Sequence, residues 1–338
     1  MEKHILIGIR YSIIQLGGKS WAASRTTPEQ YVNSILSNSR LDVRERTFKN
    51  ITIRSLADQT YDSKIINLSI LIMVSELLPT SRIESLNSIL ESLPSNIRVI
   101  VKSIAADAGD RQHHADYTNI NQAMQSTMRA ITTLGNPAMV STVRLDDDDG
   151  LSVNFVAKLV SHMNRGTAGY ACSFAHGFEG YYDQALDQIS HLKHSYFPKN
   201  AVGLAYFNEI DNFGNFVEER KIHIYNLGNH TKIDEHTPTL VDSSAPMYFK
   251  SINKTNDNGG SIHHKYLPSV NGISSLMSIP LVAEKLEDYS ELSDTEDLTA
   301  LEISKSGGAL LALTKLLNER IQLREKQLRE AISKKSGD

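Results

Sequence analysis

Four aspartates stand in a row from Asp146 to Asp149, directly after the apolar stretch MVSTVRL at residues 139–145. Carboxylate oxygens are the ligands that Mg²⁺ and Mn²⁺ prefer, and Mg²⁺ often takes only one or two of them together with substrate phosphates. Such a cation neutralises the charge that develops on a diphosphate leaving group. The acidic run is therefore a candidate nucleotide-diphosphate site. The simpler alternatives are a solvated surface loop or a helix N-cap at Asp149.

Strand-length apolar runs alternate with helical patterns through the first 165 residues. The runs are HILIGI (4–9), LSILIMV (68–74), IRVIVKSI (97–104) and MVSTVRL (139–145). Helical spacing follows around residues 48–56, in 81–93 with a Ser81/Glu84 capping box, in 120–134 before Gly135, and in 151–163. This predicts an α/β fold with a mostly parallel sheet and helices on both faces. The acidic run then lies where open α/β sheets bind ligands.

The regular pattern weakens after residue 165. TAGYACSFA (167–175) and AVGLAYF (201–207) predict strands, whereas residues 208–270 are rich in Asn, Asp, Gly and His and predict loops around a site. EDYSELSDTED (287–297) predicts an acidic linker. The segment at about 307–333 predicts an amphipathic helix with a basic polar face, which would pack on its own domain, on a second protomer or on an anionic membrane surface.

Composition narrows the class of protein. The net charge of −4, from 35 basic and 39 acidic residues in 338, does not indicate a nucleic-acid-binding surface. The single cysteine, Cys172, excludes an intramolecular disulfide and favours a reducing compartment such as the cytoplasm. The N-terminal run is interrupted by Arg10 and is interpreted as a buried strand rather than a signal peptide. We expect a soluble protein, or one held peripherally on the inner face of a membrane.

Two segments resemble the GT-A glycosyltransferases. SLADQTY (55–61) is similar to an S-L-x-x-Q-T-Y opening in these enzymes, and RLDDDDGL (144–151) resembles the R-L-D-x-D-D-A-L pattern of a rhamnosyltransferase family among them. The resemblance covers about residues 1–165. It implies a GT-A-like fold and a metal-dependent enzyme that moves a sugar from a nucleotide-diphosphate donor. For this family the sugar would be rhamnose and the acceptor a glycan or a lipid-linked glycan in surface polysaccharide synthesis.

The alternation of strands and helices, which fades after the acidic run, predicts the domain organisation. A GT-A-like catalytic domain would cover residues 1–285, with the nucleotide- and metal-binding part in 1–165 and the acceptor side in 166–285. The acidic linker and the amphipathic helix would follow in 286–338.

The resemblance also implies roles for the residues that match. Asp146 would contact the donor's ribose or sugar and share a Mg²⁺ or Mn²⁺ ion with Asp148. Asp149 would support the sugar pocket or cap the next helix, and Arg144 would pair with the diphosphate or simply neutralise the acidic run. Asp147 stands at the family's variable position. If the chain stays extended there, Asp147 faces away from the crevice while Asp146 and Asp148 face it together.

The other donor-side candidates are Arg10, Gln59 and Glu76. The second strand ends in MVSELLPT, where the superfamily usually has an aspartate, so Glu76 or Ser75 would have to hold the base or ribose. His263 or His264 is a candidate third metal ligand, with an ordinary surface histidine as the alternative.

An inverting reaction requires a base that takes the proton of the acceptor hydroxyl. The candidates lie after the acidic run and are Asp211, Asp234, Glu235 and Asp242. The segment NHTKIDEH (229–236) favours Asp234 or Glu235 as the catalytic residue. The aromatic segment HGFEGYYD (176–183) is either an acceptor platform built on Phe178, Tyr181 and Tyr182 or a group of packed side chains.

Two other classes of function remain open from the sequence. A sugar nucleotidyltransferase would need a phosphate-binding loop near the first strand, and LGGKS (16–20) lacks the full spacing of one. A non-catalytic glycan-binding or scaffold protein could keep the same fold, although the intact aspartates argue against it.

Overall fold

The computed structural model describes residues 1–14, 27–106, 118–183, 188–253 and 255–256. The strands are β1 (Glu2–Tyr11), β2 (Ile66–Ser75), β3 (Arg98–Ile104), β4 (Ala138–Asp146), β5 (Gly150–Leu151), β6 (Ala171–Asp183), β7 (Gln188–Tyr196), β8 (Ala205–Ile210) and β9 (Thr239–Ile252). The helices are α1 (Pro28–Ile35), α2 (Asn38–Thr47), α3 (Arg54–Ala57), α4 (Thr80–Leu90), α5 (Thr118–Ile131) and α6 (Phe155–Ser161).

Within these residues the strands form one sheet in the order β3-β2-β1-β4-β8-β6-β9-β5, with β7 paired to β6. β1 to β4 are parallel to one another, β8 runs antiparallel between β4 and β6, and β9 is parallel to β6. β5 and β7 are antiparallel to their partners. Six strands therefore share one direction, which confirms the predicted α/β class with a mostly parallel sheet.

Apolar side chains on successive residues of β1 supply the two faces of this sheet. Ile5, Ile7 and Ile9 belong to a buried cluster that includes residues of α2, α3, α4 and α6. Leu6 lies in a second cluster with residues of α5, among them Met124. Because neighbouring residues of a strand point to opposite faces, helices cover both sides. The prediction of helices on both faces is confirmed.

Several local predictions are wrong. The helix near residue 81 begins at Thr80 after Pro79, which makes no side-chain capping hydrogen bond, so the Ser81/Glu84 capping box does not form. The helix expected from residue 151 begins only at Phe155, because Gly150 and Leu151 pair with β9.

The helical stretch around residues 48–56 is longer than its apolar pattern indicated. It runs from α2 through a π-helical segment, Phe48–Ile53, into α3.

Residues 208–270 were expected to form loops, yet they contain the 14-residue strand β9. Its sequence, TLVDSSAPMYFKSI, places three polar residues and a proline in the centre and so hides the strand period. Its long parallel pairing with β6 determines the conformation instead.

The predicted linker and C-terminal helix in 286–338, the histidines His263 and His264, and the LGGKS segment lie outside the described residues. Among the helices that are described, none has both the length and the apolar character needed to cross a membrane.

One buried histidine makes the stability of this fold depend on pH. His223 is fully buried just before a 3₁₀ segment, Ile224–Leu227. Burial lowers its pKa to about 3, and the backbone of Asn121 raises the pKa by a smaller amount. The unfolded chain binds a proton at His223 near pH 6.5, whereas the folded chain does not. The contribution of His223 to the free energy of unfolding is therefore constant above that pH and falls as the pH drops through 6.5 towards 3.

We expect His223→Leu to reduce this pH dependence. Urea unfolding at pH 7 and pH 5.5 should show that the wild type loses about 1 kcal/mol more than the variant over this interval. The comparison uses the difference between the two pH values, so a general destabilisation by the substitution does not affect it. An equal loss in both proteins would contradict the assignment.

Candidate active site

A cleft of about 260 Å³ opens at the carboxyl ends of β1 and β4. Among the described residues, its charged lining comprises the four aspartates 146–149 together with Arg10, Arg40, Arg44, Arg144 and Lys250. The parallel register of β1 and β4 sets Arg10 directly beside Asp146. The cleft thus combines acidic and basic groups in nearly equal number, an arrangement that suits a charged ligand.

The acidic run does not stay extended. β4 ends at Asp146, Asp147 and Asp148 form a turn, and the backbone N–H of Asp149 donates to the carbonyl of Asp146 at 3.3 Å. Asp147 is 5% exposed and lines the cleft. The expectation that Asp147 faces away is wrong, because a turn does not alternate its side chains as a strand does.

Arg44 holds the centre of the run. This buried arginine of α2 places Nη1 2.7 Å from Asp147 Oδ1 and 2.8 Å from Asp148 Oδ2. Asp148 also accepts from Asn253 Nδ2 at 3.4 Å. Two buried like charges repel each other, and a guanidinium between them removes most of that cost. No motif in the sequence singles out Arg44 among the 35 basic residues, and the sequence analysis missed it.

Asp146 is held between two arginines. Arg10 Nη2 lies 2.7 Å from its Oδ1, and Arg144 Nη2 lies 3.4 Å from its Oδ2. Burial alone would raise the pKa of Asp146, but Arg144 and Arg10 outweigh it and hold the pKa well below its usual range. Both predicted donor-side arginines therefore lie in the cleft on the first aspartate of the run.

The ring of Tyr225 packs against the guanidinium of Arg10. The guanidinium lies over the Tyr225 ring at 5.7 Å, and the Tyr225 hydroxyl donates to the carbonyl of Gly8 at 2.8 Å. A side chain at Gly8 would meet the Tyr225 ring and the sulfur of Met124, each at 3.0 Å. Glycine at this position of β1 lets the ring approach the strand.

Asp149 has a different environment. It is 4% exposed, and its Oδ1 accepts from the backbone N–H of Ser251 in β9 at 2.9 Å. Burial and the neighbouring Asp148 and Asp146 raise its pKa well above the ordinary value. It does not cap the next helix, because Asn154 stands at the N-cap of α6, so that alternative is wrong.

The described carboxylates of the acidic run could hold a divalent cation only together with oxygen atoms of a bound ligand. In the described part of the chain, no group of three or more His, Cys, Asp or Glu side chains is arranged to hold a metal ion. Asp146 and Asp148 have hard oxygen donors of the right chemistry, but each already contacts a guanidinium. Since Mg²⁺ commonly takes one or two carboxylates plus phosphate oxygens, the donor diphosphate would complete the coordination shell.

The structure places Gln59 and Glu76, two other donor-side candidates, outside the cleft. Gln59 Nε2 donates to the carbonyls of Ser55 and Ser152 at 2.8 and 2.7 Å, and its Oε1 accepts from the N–H of Val156 at 3.0 Å. It joins the end of α3 to the start of α6. Glu76 is exposed after β2 and accepts from the N–H of Ala106 at 3.0 Å.

Ser75, the other candidate at that strand end, is buried and accepts from the N–H of Leu77 at 3.2 Å.

The four candidate bases also lie outside the cleft. Asp234 and Glu235 are exposed, and Lys199 Nζ lies 2.9 Å from Asp234 Oδ1, where its hydrogen bond lowers the pKa of Asp234. Asp211 accepts from backbone N–H groups of a surface turn, and Asp242 pairs with Lys158 and His162.

The aromatic segment of β6 is packed. Phe178, Tyr181 and Tyr182 are 2%, 6% and 2% exposed, so the acceptor-platform hypothesis is wrong and the packed alternative holds. Among the described residues, Phe197 is an aromatic side chain that lines the cleft, and His230 lies next to it. The sequence analysis did not single out Phe197, and it used the segment NHTKIDEH, which contains His230, only to favour Asp234 or Glu235.

The sheet and the cleft at its carboxyl edge define an α/β protein with a charged cleft. The family described as "Putative rhamnosyl transferase" matches residues 3–265, which is most of the chain. The chain belongs to this family. No curated protein sequence matches it significantly.

Similar solved structures are distant. TarS of S. aureus is 9% identical with a TM-score of 0.33 and is matched over 81% of this chain and 40% of its own. The structure of TarS residues 1–349 is 9% identical with a TM-score of 0.36, and the match covers 81% of this chain and 66% of that one. The apo form of mouse xyloside xylosyltransferase 1 is 14% identical, with a TM-score of 0.26 and coverage of 51% and 52%. The chain thus spans between 40% and 66% of the length of these proteins.

We expect Arg44→Met to be strongly destabilising, because it leaves Asp147 and Asp148 buried without the guanidinium between them. The predicted loss in free energy of unfolding is about 3–5 kcal/mol, measured by urea denaturation. Arg46→Met is the matched control, since Arg46 is exposed on the same helix and bonds only locally to the Asp42 carbonyl. A change within about 0.5 kcal/mol is expected for the control. Similar losses in both variants would contradict a special role for Arg44.

Gln59→Ala separates a structural role from a donor-binding one. Removing the side chain leaves the N–H of Val156 without its acceptor, which should cost about 1–3 kcal/mol of stability. Affinity for a nucleotide-sugar donor should not change, because Gln59 lies outside the cleft. Thermal melts and donor calorimetry on the same preparation measure the two effects. A folded variant with weakened donor binding would restore the role that the sequence predicted.

Proposed function

We propose that the cleft binds a nucleotide-diphosphate sugar and that the chain transfers the sugar to a hydroxyl of a glycan or a lipid-linked glycan. The family description indicates rhamnose as the sugar. Such a transfer suits surface polysaccharide synthesis. The observation that carries the proposal is the meeting of arginines and carboxylates in one cleft at the carboxyl ends of β1 and β4.

Arg10 and Arg144 are the groups best placed to receive the diphosphate. Each guanidinium has five N–H donors, so either can hold Asp146 and still bond to a phosphate oxygen. Its planar fork matches phosphate geometry better than an ammonium does. Arg40 and Lys250 add positive charge to the same walls. Donor binding would thus insert a charged ligand into a site whose basic groups are already held in position.

The proposal includes a Mg²⁺ or Mn²⁺ ion. Asp146 and Asp148 would hold it, and when bound it neutralises the charge of the departing nucleoside diphosphate. Asp149 lines the cleft next to Asp148 and would support the sugar. A homodimer or peripheral membrane contact through residues 307–333 stays a prediction outside the described residues.

A donor panel tests the function directly. Calorimetric titration with thymidine-, uridine- and guanosine-diphosphate rhamnose, each with Mn²⁺ and with a chelator, should show binding of one donor that weakens without the ion. Arg144→Met should weaken that binding about tenfold or more, because a charge-assisted hydrogen bond contributes roughly 1.5–3 kcal/mol.

Arg165→Met is the matched control, since Arg165 is exposed and pairs with Glu209 outside the cleft. Equal affinity in wild type and Arg144→Met would overturn the proposed diphosphate position. Failure of every donor in the panel to bind would overturn the function itself. Exchange with pyrophosphate in place of sugar transfer would favour a nucleotidyltransferase.

A further inference from the structure

His230 lies in the wall of the same cleft as the acidic run. Its Nδ1 is 2.6 Å from the carbonyl oxygen of Lys199. A carbonyl only accepts, so Nδ1 carries the hydrogen and donates it. In a neutral imidazole this tautomer leaves Nε2 with a free electron pair. The backbone at Lys199 therefore fixes which ring nitrogen can accept a proton from a substrate.

Three of the four aspartates of the cleft are poorly suited to accept such a proton, because arginines hold them. Asp146 is held by Arg10 and Arg144, which depress its basicity. Asp147 and Asp148 both contact Arg44.

Asp149 has a raised pKa, but it is only 4% exposed and its Oδ1 already accepts from the N–H of Ser251, so its burial separates it from an acceptor. Asp234 and Glu235, which the sequence favoured as bases, are exposed outside the cleft.

We propose that His230 is the general base of the glycosyl transfer, with Nε2 as the atom that takes the proton. The inference rests on the proposed function and adds to it the residue that activates the acceptor. The acceptor oxygen forms a bond to the anomeric carbon as the bond from that carbon to the diphosphate oxygen breaks. The electron pair of the broken bond leaves with the nucleoside diphosphate, and the hydroxyl proton passes to Nε2 and later to water. This is a single displacement with inversion.

The surroundings of His230 keep the ring neutral and in place. Phe197 meets it edge to face with ring centres 6.0 Å apart. Burial lowers the pKa of His230 below its ordinary value of 6.5, and Arg144 and Lys250 lower it further. Asp146 and the hydrogen bond to the Lys199 carbonyl oppose this shift without reversing it. Nε2 is therefore unprotonated at neutral pH, as a general base must be before the reaction.

The variant His230→Asn distinguishes a catalytic base from a histidine with a purely structural role. In His230→Asn the amide nitrogen can still donate to the Lys199 carbonyl, but no atom replaces Nε2. The control is His236→Asn, at an exposed histidine that directly follows the 3₁₀ segment His230–Glu235 and lies outside the cleft. The reaction is followed as release of nucleoside diphosphate from the donor chosen by the panel, with water and then methyl glycosides as acceptors.

A base at His230 predicts a fall in kcat of about 10²- to 10⁴-fold in His230→Asn, with donor Kd unchanged. Wild-type kcat should decline on acidification with a midpoint below pH 6.5, because protonation removes the base. This decline should be absent from the residual rate of the variant. Added imidazole should restore part of the rate in His230→Gly, and the wild-type product should have the inverted anomeric configuration.

A His230→Asn variant that binds donor and keeps its kcat would overturn the assignment and leave the proposed function standing. Retention of anomeric configuration would do the same. Absence of donor binding in the wild type would instead overturn the proposed function, and with it this assignment.

Discussion

The electrostatic neutralisation of four adjacent aspartates is the constraint on which the rest of the site depends. Three of them are at least 95% buried, where repulsion between like charges is strong. Arg44 offsets two of the charges, and Arg10 and Arg144 offset that of Asp146. Asp149 is left with a raised pKa and a backbone hydrogen bond from β9. The acidic turn is therefore buried together with arginines from β1, α2 and β4, which offset its charge.

The arrangement of strands and helices positions these arginines beside the acidic turn. Parallel pairing of β1 with β4 sets Arg10 beside Asp146, and the glycine two residues earlier admits the tyrosine that supports Arg10. The helical stretch from α2 to α3 carries Arg44 towards the turn. β9 closes the other side through Ser251. Sheet order and site chemistry are thus linked, because moving any of these elements would leave a carboxylate without compensation.

The same balance of charge suits glycosyl transfer. A diphosphate can bond to arginines that are already positioned. Its negative charge then shares with the aspartates the neutralisation of those arginines. The carboxylates tied to guanidinium groups are poor proton acceptors, so the site separates charge neutralisation from proton transfer. In our proposal His230, whose tautomer is set by a backbone carbonyl and whose pKa is lowered, accepts the proton instead.

The sequence by itself determined the α/β class, the first four strands and the place of the acidic run at a strand end, because these follow from periodicity over neighbouring residues. The tertiary structure decided the partners. Arg44 and Asp147 are 103 positions apart, and no local pattern connects them. The turn that brings Asp147 into the cleft, the strand β9 and the position of His230 in the cleft wall likewise depend on contacts between distant segments. Local propensity fixes the elements, whereas burial and charge compensation between them fix the site.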